Sequence, residues 1–182
     1  LEKYKIIYAD PPWRYTNHRN GKKTAAYHYP IMPFDEVKAL PVREIADKNS
    51  ILFMWATPPC LPQAFELMKA WGFVYKTVAF TWIKFNKNGT PFWGLGHYTR
   101  ANPEYCLLGT RGRVKRVSAS VHSVIMTQIR EHSRKPDEAR DKIIELMGEL
   151  TRIELFARQQ VPGWTVWGNE VENSIDLAYK PN

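Results

Sequence analysis

Tyr4-Lys5-Ile6-Ile7-Tyr8-Ala9-Asp10-Pro11-Pro12-Trp13 is the stretch from which the fold is read. Residues 4–9 form a nearly continuous run of branched and aromatic side chains, the pattern of a strand covered on both faces in a largely parallel sheet. Pro11 and Pro12 end it, because proline fixes φ, lacks an N–H and pushes the preceding residue toward extended geometry. A stiff turn needs no more than that. The acid before the prolines and the indole after them ask for another explanation, since they stand at the carboxyl end of a strand, where open α/β sheets place ligands. At average residue frequencies the four residues would meet by chance in roughly one chain of this length in a few thousand.

Working outward, apolar runs alternate with amphipathic segments. Strands are predicted over 4–9, 51–56, 75–85, 104–109, 152–156 and 164–167, and helices over 34–40, 61–71 and 136–150. The last helix is the clearest, with Ala139, Ile143, Leu146, Met147 and Leu150 on one stripe, Pro136 suited to its first position, and Asp137 and Glu138 complementing its dipole. The rhythm predicts a single α/β domain over 1–182. Residues 15–33, 86–102 and 112–135 read as longer irregular stretches, which in compact domains usually carry function.

The 182 residues carry 26 Lys and Arg against 18 Asp and Glu, a net charge of +8 that favours a polyanionic partner. No apolar run is long enough to cross a bilayer, and residues 1–10 lack the tripartite pattern of a secretory signal. The chain enters a strand at once, so an upstream segment is expected. The two cysteines, Cys60 and Cys106, have no metal-ligand spacing, which suits a reduced, cytoplasmic setting. His122 and His132 would be metal ligands only with acids or thiols beside them in space, and no metal is assigned. A phosphate loop is absent, and Gly94 with Gly96 lacks the third glycine of a dinucleotide fingerprint. Asn88-Gly89-Thr90 matches a glycosylation sequon, but Asn-Gly after a strand reads better as a tight turn.

Asp10-Pro11-Pro12-Trp13 suits chemistry on an aromatic amine. The exocyclic nitrogen of adenine is a poor nucleophile because its lone pair is delocalised into the ring. Acceptors on both amine hydrogens favour a tetrahedral nitrogen with an exposed pair: the Asp10 carboxylate for one, the Pro11 carbonyl for the other, with no competing N–H from Pro11 or Pro12. Trp13, and Tyr15 beside it, can stack on a base removed from its helix.

The chain resembles the N6-adenine methyltransferases of the MT-A70 type. The likeness covers nearly its whole length and rests on Asp10-Pro11-Pro12-Trp13, Leu52-Phe53-Met54-Trp55, Asn102-Pro103-Glu104-Tyr105-Cys106-Leu107, His132-Ser133-Arg134-Lys135-Pro136-Asp137-Glu138, Ile153-Glu154-Leu155-Phe156-Ala157-Arg158, and Gly163-Trp164 leading to Trp167-Gly168-Asn169-Glu170. It implies a Rossmann-like S-adenosylmethionine-dependent fold in circularly permuted order, catalytic motif first and donor motif last. It further implies that Asp10 contacts donor and target amine, that Lys135 meets the donor's methionine end, and that Glu154, Arg158 and Asn169 line the ribose side, with Phe156 and Glu170 beside them. Physically, Lys135 before a helix start opposes the dipole, which a bound carboxylate would reconcile; a solvated lysine paired with Asp137 or Glu138 is the other reading. Glu154 lies within an apolar run, so ribose hydroxyls or an ion pair with Arg158 should satisfy it. Asn169 could equally cap a turn. Gln159 and Gln160 stand just after the Arg158 motif, where the family often has another polar or basic side chain, and Glu170 stands where some relatives carry glutamine. The donor-adenine contact made upstream in relatives is not assigned.

Tyr15, Lys22, Lys23, Tyr29, Glu104, Arg111, Arg113, Lys115, Arg116 and Arg134 are the candidate nucleic-acid contacts, with target-recognition loops expected within 84–135. The reading is transfer of a methyl group from S-adenosylmethionine to adenine N6, in DNA by preference because the chain leaves no room for an appended RNA module, with RNA as the alternative. A non-catalytic nucleic-acid-binding subunit of the same fold is the reading from another class. Both a monomer and a homodimer are compatible with the sequence.

Overall fold

The chain enters the sheet at its middle. A computed structural model describes residues 2–13, 32–131 and 134–177. In it, β1 (Tyr4–Ala9) is flanked on one side by β2 (Ala46–Ala56) and on the other by β6 (Arg152–Leu155), both parallel to it. From β2 the sheet continues through β4 (Glu104–Arg111), β3 (Val74–Phe85) and β5 (Val124–Gln128), and beyond β6 it ends in β7 (Thr165–Trp167). Among the described strands only β4 runs against its neighbours. The order β5-β3-β4-β2-β1-β6-β7 is therefore a doubly wound α/β sheet entered at its centre, as the permuted motif order predicts.

Two apolar layers sandwich the sheet. On one face Ile7, Leu52, Met54, Ile153 and Leu155 pack under α1 (Phe34–Ala39), α2 (Val42–Ile45) and α3 (Leu61–Ala70). On the other, Ile6, Tyr8, Phe53 and Trp55 meet Ala139, Ile143 and Met147 of α4 (Glu138–Met147). The alternation along β1 and β2 thus sends each strand's residues to both layers, which is why neither strand can tolerate a polar face.

Several boundaries differ from the sequence reading. β5 falls within a stretch read as irregular: as an edge strand paired only with β3 it buries Ile125 alone, while Val124 and Met126 stay exposed, so its apolar signal is weak. β2 begins five residues early, over Asp47, Lys48 and Asn49, where a register shift against β1 absorbs the extra residues. The short α2 has no amphipathic period to reveal it. α4 begins at Glu138 rather than Pro136, and it stops at Gly148, whose φ of +82° suits glycine. Asn88-Gly89 is a turn: Gly89 has φ +82° and the Asn88 side chain accepts from the Thr90 N–H and hydroxyl.

Candidate active site

From β1 the chain works outward through β2, then returns after β5 to β6 on the opposite side of β1. This reversal opens a crevice at the carboxyl ends of β1 and β6. Ala9 and Leu155 are register partners, so Asp10 and Phe156 leave the sheet side by side. The cleft between them is lined by Tyr8, Asp10, Arg134, Lys135, Arg140, Glu154, Phe156, Arg158 and Gln159.

Asp10 does not face the cleft alone. Lys135 Nζ lies 3.2 Å from Asp10 Oδ2 and 3.4 Å from Glu104 Oε1, and Glu104 Oε2 is 3.5 Å from Lys84 Nζ. The line runs from the end of β1 to β3, with Glu104 and Lys135 nearly enclosed and Asp10 about a quarter exposed. Burial pushes the Asp10 carboxyl above its ordinary pKa; Lys135 pulls it back, and Glu104 adds to the rise. Burial alone would lower the Lys135 pKa, but Asp10 and Glu104 together hold it above the ordinary lysine value. Lys135 is thus neither a solvated lysine nor paired with Asp137 or Glu138. Those acids take Arg134 and Arg130 instead, at 2.8 and 3.2 Å.

The turn after Asp10 is tied back to the core. The Trp13 N–H donates to the Pro11 carbonyl at 2.9 Å, and its indole N–H donates to the Trp55 carbonyl at 2.9 Å while the ring packs against Phe34. Pro11 keeps a second lone pair on its carbonyl oxygen. Trp13 fixes the turn geometry as well as offering an aromatic surface.

Glu154 pairs with Tyr8 in register and so points to the α4 face. Its partner there is Arg140, not Arg158: Arg140 Nε donates to Oε2 at 2.7 Å and Nη2 to Oε1 at 2.8 Å. Burial raises the Glu154 pKa and Arg140 opposes that rise. Asp137, at the N-cap position of α4, makes no cap hydrogen bond with its side chain. Its carboxylate instead accepts from Arg134, Arg140 and Gln159. Phe156 adopts φ 60°, unusual for a bulky residue, and turns its ring against Trp167 at 5.5 Å. Gly168 packs on that turn so closely that a Cβ would lie 2.4 Å from the Ala157 carbonyl oxygen. Asn169 and Glu170 follow it and are exposed.

The candidate nucleic-acid contacts divide. Glu104 and Arg134 reach the site. Arg111 lies opposite Ser50 at the far end of β4, whereas Tyr105 lies opposite Ala56 near the cleft; six positions at about 3.3 Å put the start of the Arg111, Arg113, Lys115 and Arg116 cluster roughly 20 Å from the crevice. Arg111 donates to the Arg43 carbonyl there. Tyr15, Lys22, Lys23 and Tyr29 lie outside the described residues, as does His132. No group of three or more His, Cys, Asp or Glu side chains that could hold a metal occurs among the described residues.

Tyr8, Arg140 and Gln159 are the site residues that the sequence reading missed, whereas Lys84 is the first residue of the stretch expected to carry target recognition. Tyr8 read as a strand residue, Gln159 only as a departure. Arg140 borders the apolar stripe of α4, with Ile143 three and Ile144 four positions on, which places a long cation at the rim of the sheet.

A doubly wound sheet with one reversed strand, an acid-proline-proline-tryptophan turn at its switch point and an acid on the neighbouring strand defines an α/β methyltransferase domain. The chain belongs to the MT-A70 family, whose pattern matches residues 4–170. It is 34% identical to the type II methyltransferase M.MunI of a Mycoplasma species, over 97% of this chain and 82% of that protein. It is also 28% identical to the N(6)-adenosine-methyltransferase catalytic subunit METTL3 of Homo sapiens and 29% identical to an N(6)-adenosine-methyltransferase MT-A70-like protein of Drosophila melanogaster. Those matches cover 94% of this chain but only 29% and 28% of the relatives, less than a third of their length.

Proposed function

We propose that this methyltransferase transfers a methyl group from S-adenosylmethionine to the N6 amine of adenine in DNA. The observation that carries the reading is the pairing of an Asp10 carboxylate with an available Pro11 carbonyl in a turn that Trp13 locks to the core. Asp10 accepts one amine hydrogen and Pro11 the other, leaving the nitrogen lone pair directed at the incoming methyl. The donor supplies that methyl on a sulfonium centre, which becomes a neutral thioether when the new N–C bond forms. Asp10 then takes the proton that the nitrogen gives up. A carboxyl held above its ordinary pKa is better matched to that task than a solvent-exposed one. Lys135 keeps Asp10 anionic until that proton arrives.

The cleft residues fit the donor chemically. Glu154 is a buried acceptor for hydroxyls, Lys135 and Arg158 are cations for a carboxylate, Phe156 is an apolar wall, and Gly168 clears the backbone beside it. Asn169 and Glu170 complete the donor side in this reading. DNA is favoured because the type II methyltransferase M.MunI is matched at 34% identity over 82% of its length, against 28% identity to the human adenosine methyltransferase subunit. RNA is the second reading, supported by the likeness to those same proteins. In this reading target recognition falls to loops within 84–135, and Tyr15, Lys22, Lys23 and Tyr29 remain candidate nucleic-acid contacts. No helix among the described residues is long and apolar enough to cross a membrane, and both cysteines are buried free thiols, in keeping with a reducing cytoplasm.

The test is incubation with methyl-labelled donor and matched single-stranded DNA, duplex DNA and RNA, followed by nucleoside analysis. Labelled N6-methyladenine in DNA is expected. Label in RNA alone moves the substrate to RNA, and binding without transfer supports a non-catalytic subunit.

A further inference from the structure

The guanidinium of Arg140 is fixed on three sides. It forks onto both oxygens of Glu154 at 2.7 and 2.8 Å, donates to Asp137 Oδ1 at 3.0 Å, and lies 5.9 Å over the Tyr8 ring. Its side chain is 11% exposed and that of Glu154 9%, so neither ion has water enough to stand alone. A carboxylate has about four lone-pair positions, and a fork uses one on each oxygen. One remains on each for the cleft that Glu154 lines, which is the number that two adjacent ribose hydroxyls require.

We propose that Arg140 is a positioning residue for donor recognition, fixing the rotation and the anionic state of Glu154 so that both its oxygens accept donor hydroxyls. This rests on the donor reading above. It differs from the expectation that Arg158 would pair with Glu154, and it assigns to the first turn of α4 a role in binding that helix periodicity gives only to packing. Asp137, held by Arg134 and Gln159, anchors the guanidinium from behind. The titratable and charged groups that share the cleft with Glu154 or act on it are Tyr8 on β1 and Asp10 just after it, Asp137 and Arg140 from α4 and its N-cap, Arg134 and Lys135 from the segment before it, and Arg158 after β6. Among the described residues Arg140 is the one that donates to both carboxylate oxygens, so its loss removes the main force opposing the rise that burial imposes on the Glu154 pKa.

The experiment is calorimetric titration of the whole chain with S-adenosylhomocysteine between pH 6 and 8, after thermal unfolding confirms that each variant is folded. Arg140→Met is expected to bind about tenfold more weakly at pH 8, the scale of one charge-assisted hydrogen bond, and progressively more weakly toward pH 6, while the parent changes little. Arg140→Lys keeps the charge without the fork and should recover part of the affinity with no pH dependence. In a Glu154→Gln background, Arg140→Met should cost little more. Parental affinity in Arg140→Met, a loss without pH dependence, or an undiminished loss in the Glu154→Gln background overturns the proposal. If Arg140→Met does not fold, Arg140→Lys decides: intermediate affinity supports the role and parental affinity overturns it. A parent chain that binds no S-adenosylhomocysteine overturns the donor reading itself, an outcome separate from any difference between variants.

Discussion

Lys135 Nζ sits between two carboxylates, 3.2 Å from Asp10 and 3.4 Å from Glu104. One ammonium thus serves the end of β1 and the start of β4. Without it two acids would face each other in a partly dehydrated crevice, each raising the other's affinity for a proton.

Methylation should therefore show an acid limb governed by Asp10, and Lys135→Met should move that limb to higher pH. Burial already places the Asp10 pKa above its ordinary value, and Lys135 opposes the rise. Measuring kcat/KM from pH 5 to 9 for parent and variant checks this; an unmoved limb would remove Lys135 from control of Asp10. Donor affinity should also fall by about 1 to 3 kcal/mol if Lys135 holds the donor carboxylate.

Asp10→Asn should lower turnover by about 100- to 10,000-fold while the protein stays folded. Its stability should equal or exceed that of the parent at neutral pH. A carboxyl whose folded-state pKa stands above the unfolded value destabilises the fold as pH rises through that window, and the amide removes the effect. Chemical denaturation at pH 7 with nucleoside analysis tests both parts. A clearly less stable variant would contradict this sign.

Gly168→Ala should destabilise the domain by about 1 to 3 kcal/mol and weaken donor binding with it. The added Cβ would meet the Ala157 carbonyl oxygen at 2.4 Å and its nitrogen at 2.7 Å, backbone atoms that cannot rotate aside. Thermal unfolding and donor titration read the two effects, and a neutral substitution would show that the turn after β6 yields easily.

Replacing Arg111, Arg113, Lys115 and Arg116 together with alanine tests a phosphate footprint far from the crevice. Each true contact on duplex DNA should remove a slope of about 0.9 from log affinity against log salt, alike for all sequences and with donor affinity unchanged. A parental slope would make the cluster a solvated face and direct the substrate path to Lys84, Arg130 and Arg134.

Gly168 and Arg140 act through tertiary contacts, a close backbone approach to Ala157 and a fork onto Glu154, that no local pattern announces. The buried strands β1, β2 and β6, the long helices and the acid-proline-proline-tryptophan turn were legible because each is a local pattern: an apolar run, a helical stripe, a string of φ-restricted residues. Asp10, Lys135, Glu154, Phe156 and Arg158 were legible as members of motifs, and the fold brings all five to one cleft. Their partnerships were not legible. That Glu154 takes Arg140, that Lys135 bridges Asp10 and Glu104, and that Arg111 stands at the wrong end of β4 to join them all depend on strand register and on which face of the sheet α4 covers. Side-chain type and spacing state what a residue can bond; the strand pairings, decided by packing across the whole sheet, determine which charges meet.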